Sequence, residues 1–109
     1  MREFVGRPGR ASIEMHVSVK AGDDCFAAKS TNIGVGGLFV ATDRQLRIGN
    51  RLTVELSLPR HIRPIAVGAE VRWVSESDGR ASGMGVRFVN PSLGVTVAIH
   101  ELLRIWARI

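Results

Sequence analysis

Residues 30–42 read STNIGVGGLFVAT: a polar stretch, a glycine-rich corner at 34–37, and an apolar run that begins at Leu38. Glycines between two segments with strand character favour a tight turn, so this stretch predicts two strands joined at the corner. Glycine also lets a ligand approach the backbone closely, because it has no Cβ. The same corner is therefore a candidate binding site as well as a turn.

Apolar and polar residues alternate on both sides of this corner, which is the pattern of strands with one buried face. The alternation and the turn residues predict six short strands, at 13–20, 25–33, 38–42, 52–58, 65–73 and 83–89. The polar stretch 75–82, with Asp78-Gly79 at its tip, is predicted to be a loop. Short strands at close spacing indicate a small barrel or sandwich.

Near the C-terminus the apolar residues recur every three or four positions, which is typical of an amphipathic helix. The residues of this stripe are Val95, Ile99, Leu102, Leu103 and Trp106. The helix is predicted at about 93–108, with Ser92 as its N-cap. The predicted fold is mainly β: a six-stranded antiparallel β-barrel with one C-terminal α-helix and a flexible basic N-terminal arm. The arm is assigned to residues 1–11, and the barrel with the helix to residues 12–109.

The composition fits one domain with a modest core, since 45% of the 109 residues are hydrophobic. There is no apolar run of about eighteen residues and no secretory signal, so we expect a cytoplasmic protein without a membrane span. The formal net charge is +5, carried by thirteen arginines and only two lysines. This excess predicts an acidic partner, such as nucleic acid or a phosphorylated small molecule, unless the arginines only form a solvated surface.

Catalytic and metal-binding patterns are missing from the sequence. The motifs HExxH and CxxC and the EF-hand loop do not occur, and the three histidines lie in unrelated predicted elements. The sequence also lacks a nucleophile elbow, a phosphate-binding P-loop and a pair of carboxylates in an apolar context. We therefore predict no enzyme activity, no catalytic residue, no metal site and no cofactor.

Several motifs follow one another along nearly the whole chain after the basic arm: TNI at 31–33, GGLFV at 36–40, IG at 48–49, LTVELSLP at 52–59, VRWV at 71–74 and GMGVRFV at 83–89. Together they resemble the PilZ domain family. PilZ domains are known as receptors for the bacterial second messenger cyclic di-GMP. The resemblance implies a barrel fold and a ligand site with two motifs, RxxxR on the arm and [D/N]xSxxG at the corner of the barrel.

The corner motif is incomplete in this chain. Asn32 and Gly37 match it, but Gly34 stands in the place of the serine, so a hydroxyl donor and acceptor is missing. Arg72 and Arg87 lie on predicted strands and are auxiliary candidates for holding a phosphate, because guanidinium groups bind two phosphate oxygens at once.

The arm motif is also incomplete. Arg10 matches its second arginine, Gly6 replaces the first, and Arg7 lies one residue away from that position. The resemblance thus implies a vestigial or weak cyclic di-GMP site, whose members are Arg7, Arg10, Asn32, Gly34 and Gly37.

These deviations predict a non-enzymatic PilZ-type signalling protein that acts as an adaptor, through protein contacts in motility or related regulation. Its expected partners are signalling or motility proteins, or a second copy of the chain. Val97, Ile105 and Ile109 are apolar outside the helix stripe and form the candidate partner surface. The alternative is that a short helix on a barrel buries most of its circumference.

Two other functions remain open. The first is a genuine cyclic di-GMP receptor that uses Arg7, Arg10, Asn32 and Gly37. The second is a small barrel that binds nucleic acid, which needs exposed aromatic rings among basic residues. Most aromatic side chains are predicted to point inward, which argues against that function. These residues are Phe26, Phe39, Trp73, Phe88 and Trp106.

Overall fold

The computed structural model of the protein describes residues 10–11, 13–58 and 60–107. Its elements are β1 (Arg10–Ala11), β2 (Met15–Ala21), β3 (Asp24–Gly34), β4 (Gly37–Ala41), β5 (Arg51–Leu56), β6 (Ile65–Ser77), β7 (Arg80–Phe88) and α1 (Leu93–Ala107). Strands β2 to β7 correspond to the six predicted strands, and α1 corresponds to the predicted helix.

The six strands β2 to β7 close into an antiparallel barrel. Their order around it is β3-β2-β5-β6-β7-β4, and β4 pairs back onto β3. Closure gives the strands of the barrel neighbours on both sides, which satisfies their backbone hydrogen bonds. The short β1 lies beside the end of β3, where Arg10 pairs with Gly34 and Ala11 with Ile33. The predicted six-stranded barrel with a C-terminal helix is therefore confirmed.

One hydrophobic core fills the barrel and extends to the inner face of α1. Its most completely buried members include Ile33, Leu38, Leu56 and Met84 from the strands and Ile99 from the helix. Alternate strand residues supply this core because successive side chains of a strand point to opposite faces. The helix is consequently part of the domain's single core and covers the barrel. Among the described residues, no helix is long and apolar enough to cross a bilayer.

Helix α1 begins as its sequence predicts. The Oγ of Ser92 accepts a hydrogen bond from the backbone N–H of Val95 at 3.2 Å, which is the N-cap arrangement. Val95, Ile99 and Leu102 of the predicted stripe are buried, and Leu103 is partly buried against the core. Local capping and helical periodicity are sufficient to place this element.

The predicted loop at 75–82 is wrong. Strand β6 continues to Ser77 and β7 begins at Arg80, so that only Asp78 and Gly79 form the turn. Both turn residues have positive φ, 54° and 78°, as a two-residue hairpin turn of type I′ requires. Sequence periodicity misses this hairpin because it extends past the core with polar residues, among them Ser75 and Ser82, whose hydroxyl oxygens lie 2.7 Å apart.

The predicted inward orientation of Trp73 is also wrong. A β-bulge on β6 places Val71 opposite Val86 and Trp73 opposite Gly85, so Arg72 is an extra residue. One extra residue exchanges the two faces of a strand from that point onward. Val71 is buried, as predicted, whereas Trp73 lies on the outer face with 50% of its surface exposed.

Candidate ligand groove

A groove of about 470 Å³ lies on the outer face of the barrel, next to the glycine corner. Three predicted site residues line it: Asn32 from β3, Arg72 from β6 and Arg87 from β7. The auxiliary arginines therefore lie beside the corner motif, although they are far from it in the sequence. Among the described residues, no acidic side chain lines this groove. Gly6 and Arg7 lie outside the residues that the structure describes.

The floor of the groove contains a row of paired residues, which we call the aromatic row. It crosses four adjacent strands and consists of Asn32, Phe39, Gly85 and Trp73. The rings of Phe39 and Trp73 stack, with 5.2 Å between their centroids and 28° between their planes. They approach each other because the strand between them carries glycine. A Cβ on Gly85 would lie 2.1 Å from Nε1 of Trp73, and a Cβ on Gly83 2.2 Å from Cζ of Phe39.

Two β-bulges determine which residues belong to this row. On β3 the register shifts between Ser30 and Asn32, and on β6 it shifts between Val71 and Trp73. Each bulge directly precedes an end of the row. The first is held by the buried Ser30, whose Oγ donates a hydrogen bond to the carbonyl of Asn32 at 3.1 Å. The predicted inward orientation of Phe39 is wrong as well, because Leu38 and Val40 are buried and Phe39 therefore lies on the opposite, outer face of β4. Sequence analysis missed Trp73 as a site residue because alternation alone contains no indication of a bulge.

A second row, which we call the charged row, runs parallel to the aromatic row. It consists of Gly34, Gly37, Arg87, Glu70 and Arg51, on β3, β4, β7, β6 and β5. Glu70 forms ion pairs with Arg87, at 3.5 Å, and with Arg72, at 3.9 Å. The groove thus combines an aromatic surface with two guanidinium groups, a combination that suits a planar ring bearing anionic groups.

Gly36 and Gly37 of the corner differ in whether the fold requires glycine there. A Cβ on Gly37 would lie 2.1 Å from the carbonyl oxygen of Val86, so the pairing of β4 with β7 requires glycine there. Gly36 is exposed, and a Cβ on it would meet no atom within 4 Å. Gly37 is therefore needed by the fold itself. Of the corner glycines 34, 36 and 37, only Gly36 is exposed and accessible to a ligand.

Gly34 lies between two strands at the corner. Its backbone pairs with Gly37 of β4 on one side and with Arg10 of β1 on the other. The structure thereby places the end of the arm next to the corner motif. Glycine supplies no hydroxyl at this position.

Two residues of the predicted partner surface lie in the described part of α1. Val97 is 52% exposed and borders one hollow, whereas the half-buried Ile105 borders another. The polar residues Glu101 and Arg104 line both hollows. Ile109 lies outside the described residues. Leu93, one turn before Val97, is 79% exposed and was not recognised from the sequence.

The comparison with protein families agrees with this architecture. The PilZ domain family model matches residues 6–104, which includes the corner, the barrel and most of α1. The protein belongs to the PilZ domain family. A search of curated proteins found no relative.

Solved structures similar to this PilZ domain share its fold at low sequence identity. The Bacillus subtilis inhibitor of motility MotI/DgrA is 19% identical with a TM-score of 0.78, and the match covers 95% of this chain and 53% of that protein. The PilZ domain of Escherichia coli YcgR, solved with cyclic di-GMP, is 21% identical with a TM-score of 0.67, covering 88% of this chain and 84% of that one. The PilZ domain described here thus spans about half the length of MotI/DgrA.

Proposed function

We propose that this PilZ domain protein is a non-enzymatic cytoplasmic regulator with a degenerate cyclic di-GMP site, which acts as an adaptor through contacts with signalling or motility proteins. The observation that carries the proposal is Gly34, which occupies the serine position of the corner motif. The similarity in fold between this PilZ domain and an inhibitor of motility supports the motility context. The exposed side chains of Leu93 and Val97 on α1 offer an apolar surface for a protein partner.

The energetic effect of the two replacements supports a weak site. A desolvated arginine–phosphate pair contributes about 2–5 kcal/mol to binding, and a hydroxyl hydrogen bond contributes about 1 kcal/mol. Each 1.4 kcal/mol corresponds to about tenfold in affinity. Glycine at positions 6 and 34 therefore lowers the expected affinity for cyclic di-GMP by roughly two to four decades relative to a complete site.

A second function, a genuine cyclic di-GMP receptor, is favoured by one specific observation. The groove offers the exposed face of Trp73 together with Arg72 and Arg87, which supply an aromatic surface and positive charge. In this function Arg7 and Arg10 of the arm would bind the ligand together with Asn32 and Gly37. The exposure of Trp73 also removes the argument that inward aromatic rings exclude base stacking.

Calorimetric titration with cyclic di-GMP distinguishes the two functions. The wild type is compared with the single variants Gly6→Arg and Gly34→Ser and with the double variant, and a thermal melt of each verifies folding. We expect no binding or millimolar binding by the wild type, and a stepwise gain that reaches about a hundredfold or more in the double variant.

The possible results separate the proposals clearly. Micromolar or tighter binding by the wild type would contradict the degenerate site and support the receptor function. In that case Arg7→Ala and Arg10→Ala should each abolish most of the affinity. No gain in a folded double variant would show that positions 6 and 34 are not what weakens the site.

A further inference from the structure

One acidic residue, Glu70, lies beside both arginines of the groove. Its Oε1 atom is 3.5 Å from Nη2 of Arg87 and 3.9 Å from Nη1 of Arg72. The side chain of Glu70 is 19% exposed, whereas those of Arg87 and Arg72 are 59% and 54% exposed. Within the described part of the chain, no other acidic side chain pairs with either guanidinium. The two positive charges of the groove thus share a single carboxylate oxygen.

Register explains why Glu70 contacts both arginines. It lies directly opposite Arg87 in the charged row, while Arg72 follows it by two residues on the same strand. Arg72 is also the extra residue of the bulge that turns Trp73 outward. The feature that exposes the aromatic ring therefore also places the second guanidinium near the carboxylate.

These ion pairs are weak and open to exchange. Distances of 3.5 and 3.9 Å exceed those of good hydrogen bonds between N and O atoms. Both arginines are more than half exposed, so water and salt screen these pairs and they contribute little to folding. Glu70 nevertheless places a negative charge close to where a bound phosphate would place its own.

We propose that Glu70 is an internal competitor for the ligand, which pairs with Arg72 and Arg87 and raises the phosphate concentration needed to occupy them. The inference rests on the proposed function, since it concerns the same groove and takes a phosphate-bearing nucleotide as its ligand. Competition by Glu70 would weaken the binding of cyclic di-GMP independently of Gly6 and Gly34. Glu70 is a positioning residue that acts through the two arginines.

The expected size of the effect follows from electrostatics. Replacing Glu70 with glutamine removes the carboxylate that pairs with the two arginines, so the summed charge of residues 70, 72 and 87 changes from +1 to +2. A phosphate held by the arginines would lie about 5–7 Å from the carboxylate, where repulsion in water corresponds to roughly threefold in affinity. A ligand with two phosphates should therefore bind up to about tenfold more tightly to the variant.

The test compares Glu70→Gln with Glu55→Gln, a matched change of charge. Glu55 is exposed on β5 and pairs with Ala66, four residues along β6 from Glu70. Four residues along a strand span about 13 Å, which exceeds the screening length of about 8–10 Å at physiological salt. Both changes are introduced into the wild type and into the Gly6→Arg/Gly34→Ser background, where binding is expected to be measurable. Cyclic di-GMP is titrated by calorimetry at low and at high salt.

A second probe tests the arginines without the nucleotide. Inorganic pyrophosphate is titrated while the backbone amide NMR signals of Trp73 and Arg87 are followed. We expect Glu70→Gln to bind both probes about three- to tenfold more tightly, with a steeper loss of affinity as salt rises, and Glu55→Gln to change affinity less than about twofold. A merely structural role for Glu70 would not produce tighter, more salt-sensitive binding.

Failure of this inference and failure of the cyclic di-GMP site give different results. If Glu70→Gln binds pyrophosphate no more tightly than Glu55→Gln, or binds cyclic di-GMP measurably but no more tightly than Glu55→Gln, Glu70 does not compete and the inference is overturned. If pyrophosphate affinity rises in Glu70→Gln while cyclic di-GMP binds no variant, the competition by Glu70 holds and the nucleotide assignment fails.

Discussion

The aromatic row and the charged row lie side by side on one face of the barrel, but different contacts maintain them. In the charged row, a Cβ on Gly37 would meet the carbonyl oxygen of Val86, which belongs to the main chain. In the aromatic row, a Cβ on Gly85 would meet the indole of Trp73, which can rotate away. The glycine of the corner motif is therefore demanded by strand pairing, and its presence is no evidence that a ligand binds.

The largest effect is expected for Gly37→Ala, compared with Gly36→Ala. The added methyl group at position 37 must push β4 away from β7, because the obstacle at 2.1 Å is backbone. We expect a loss of about 3 kcal/mol in the free energy of unfolding, the upper end for overpacking, and a change within about 0.5 kcal/mol for Gly36→Ala. Urea denaturation measures both. Equal effects of the two variants would show that the corner tolerates side chains throughout.

An intermediate effect is expected for Gly85→Ala, because the displaced group is a side chain. We expect a loss of about 1–2 kcal/mol in the free energy of unfolding. Adding Trp73→Ala should remove most of this loss, since the two residues are in contact and their effects should not add. The control is Gly68→Ala on β6, where a Cβ meets nothing closer than 3.9 Å. Strictly additive losses in the double variant would refute the contact.

The smallest effect is expected at the bulge that orients Asn32. Ser30 is fully buried and donates a hydrogen bond to the carbonyl of Asn32, so Ser30→Ala should lower the free energy of unfolding by about 1 kcal/mol. Ser57→Ala, at an exposed position, should have no measurable effect. Thermal melts give the comparison, and the amide NMR signal of Asn32 should shift only in Ser30→Ala. An unchanged signal there would mean that Ser30 does not support the aromatic row.

The sequence allowed more of the fold to be predicted than of the groove. Ser92 and the apolar stripe of α1 are local features, and they placed the helix almost to the residue. The alternation from Ile65 to Val71 placed most of β6 in the same way. It failed at Trp73, because a single extra residue reverses the face of a strand and leaves the composition of the segment unchanged.

In the candidate site, too, features formed by neighbouring residues were predicted and features formed by distant residues were not. The corner with Asn32, Gly34 and Gly37 was predicted from its resemblance to a short family motif, whose residues lie within six positions of one another. The pairing of Glu70 with Arg87 was not, because those residues belong to different strands and meet only through the barrel's register.

The sequence by itself determined the six strands of the barrel in outline, the terminal helix with its cap and the glycine corner, because alternation, helical period and turn chemistry are properties of neighbouring residues. Only the tertiary structure decided that Trp73 stacks on Phe39 and that Glu70 forms ion pairs with both Arg72 and Arg87. A closed antiparallel sheet brings together residues that are far apart in the chain, and its bulges decide which of their side chains face outward.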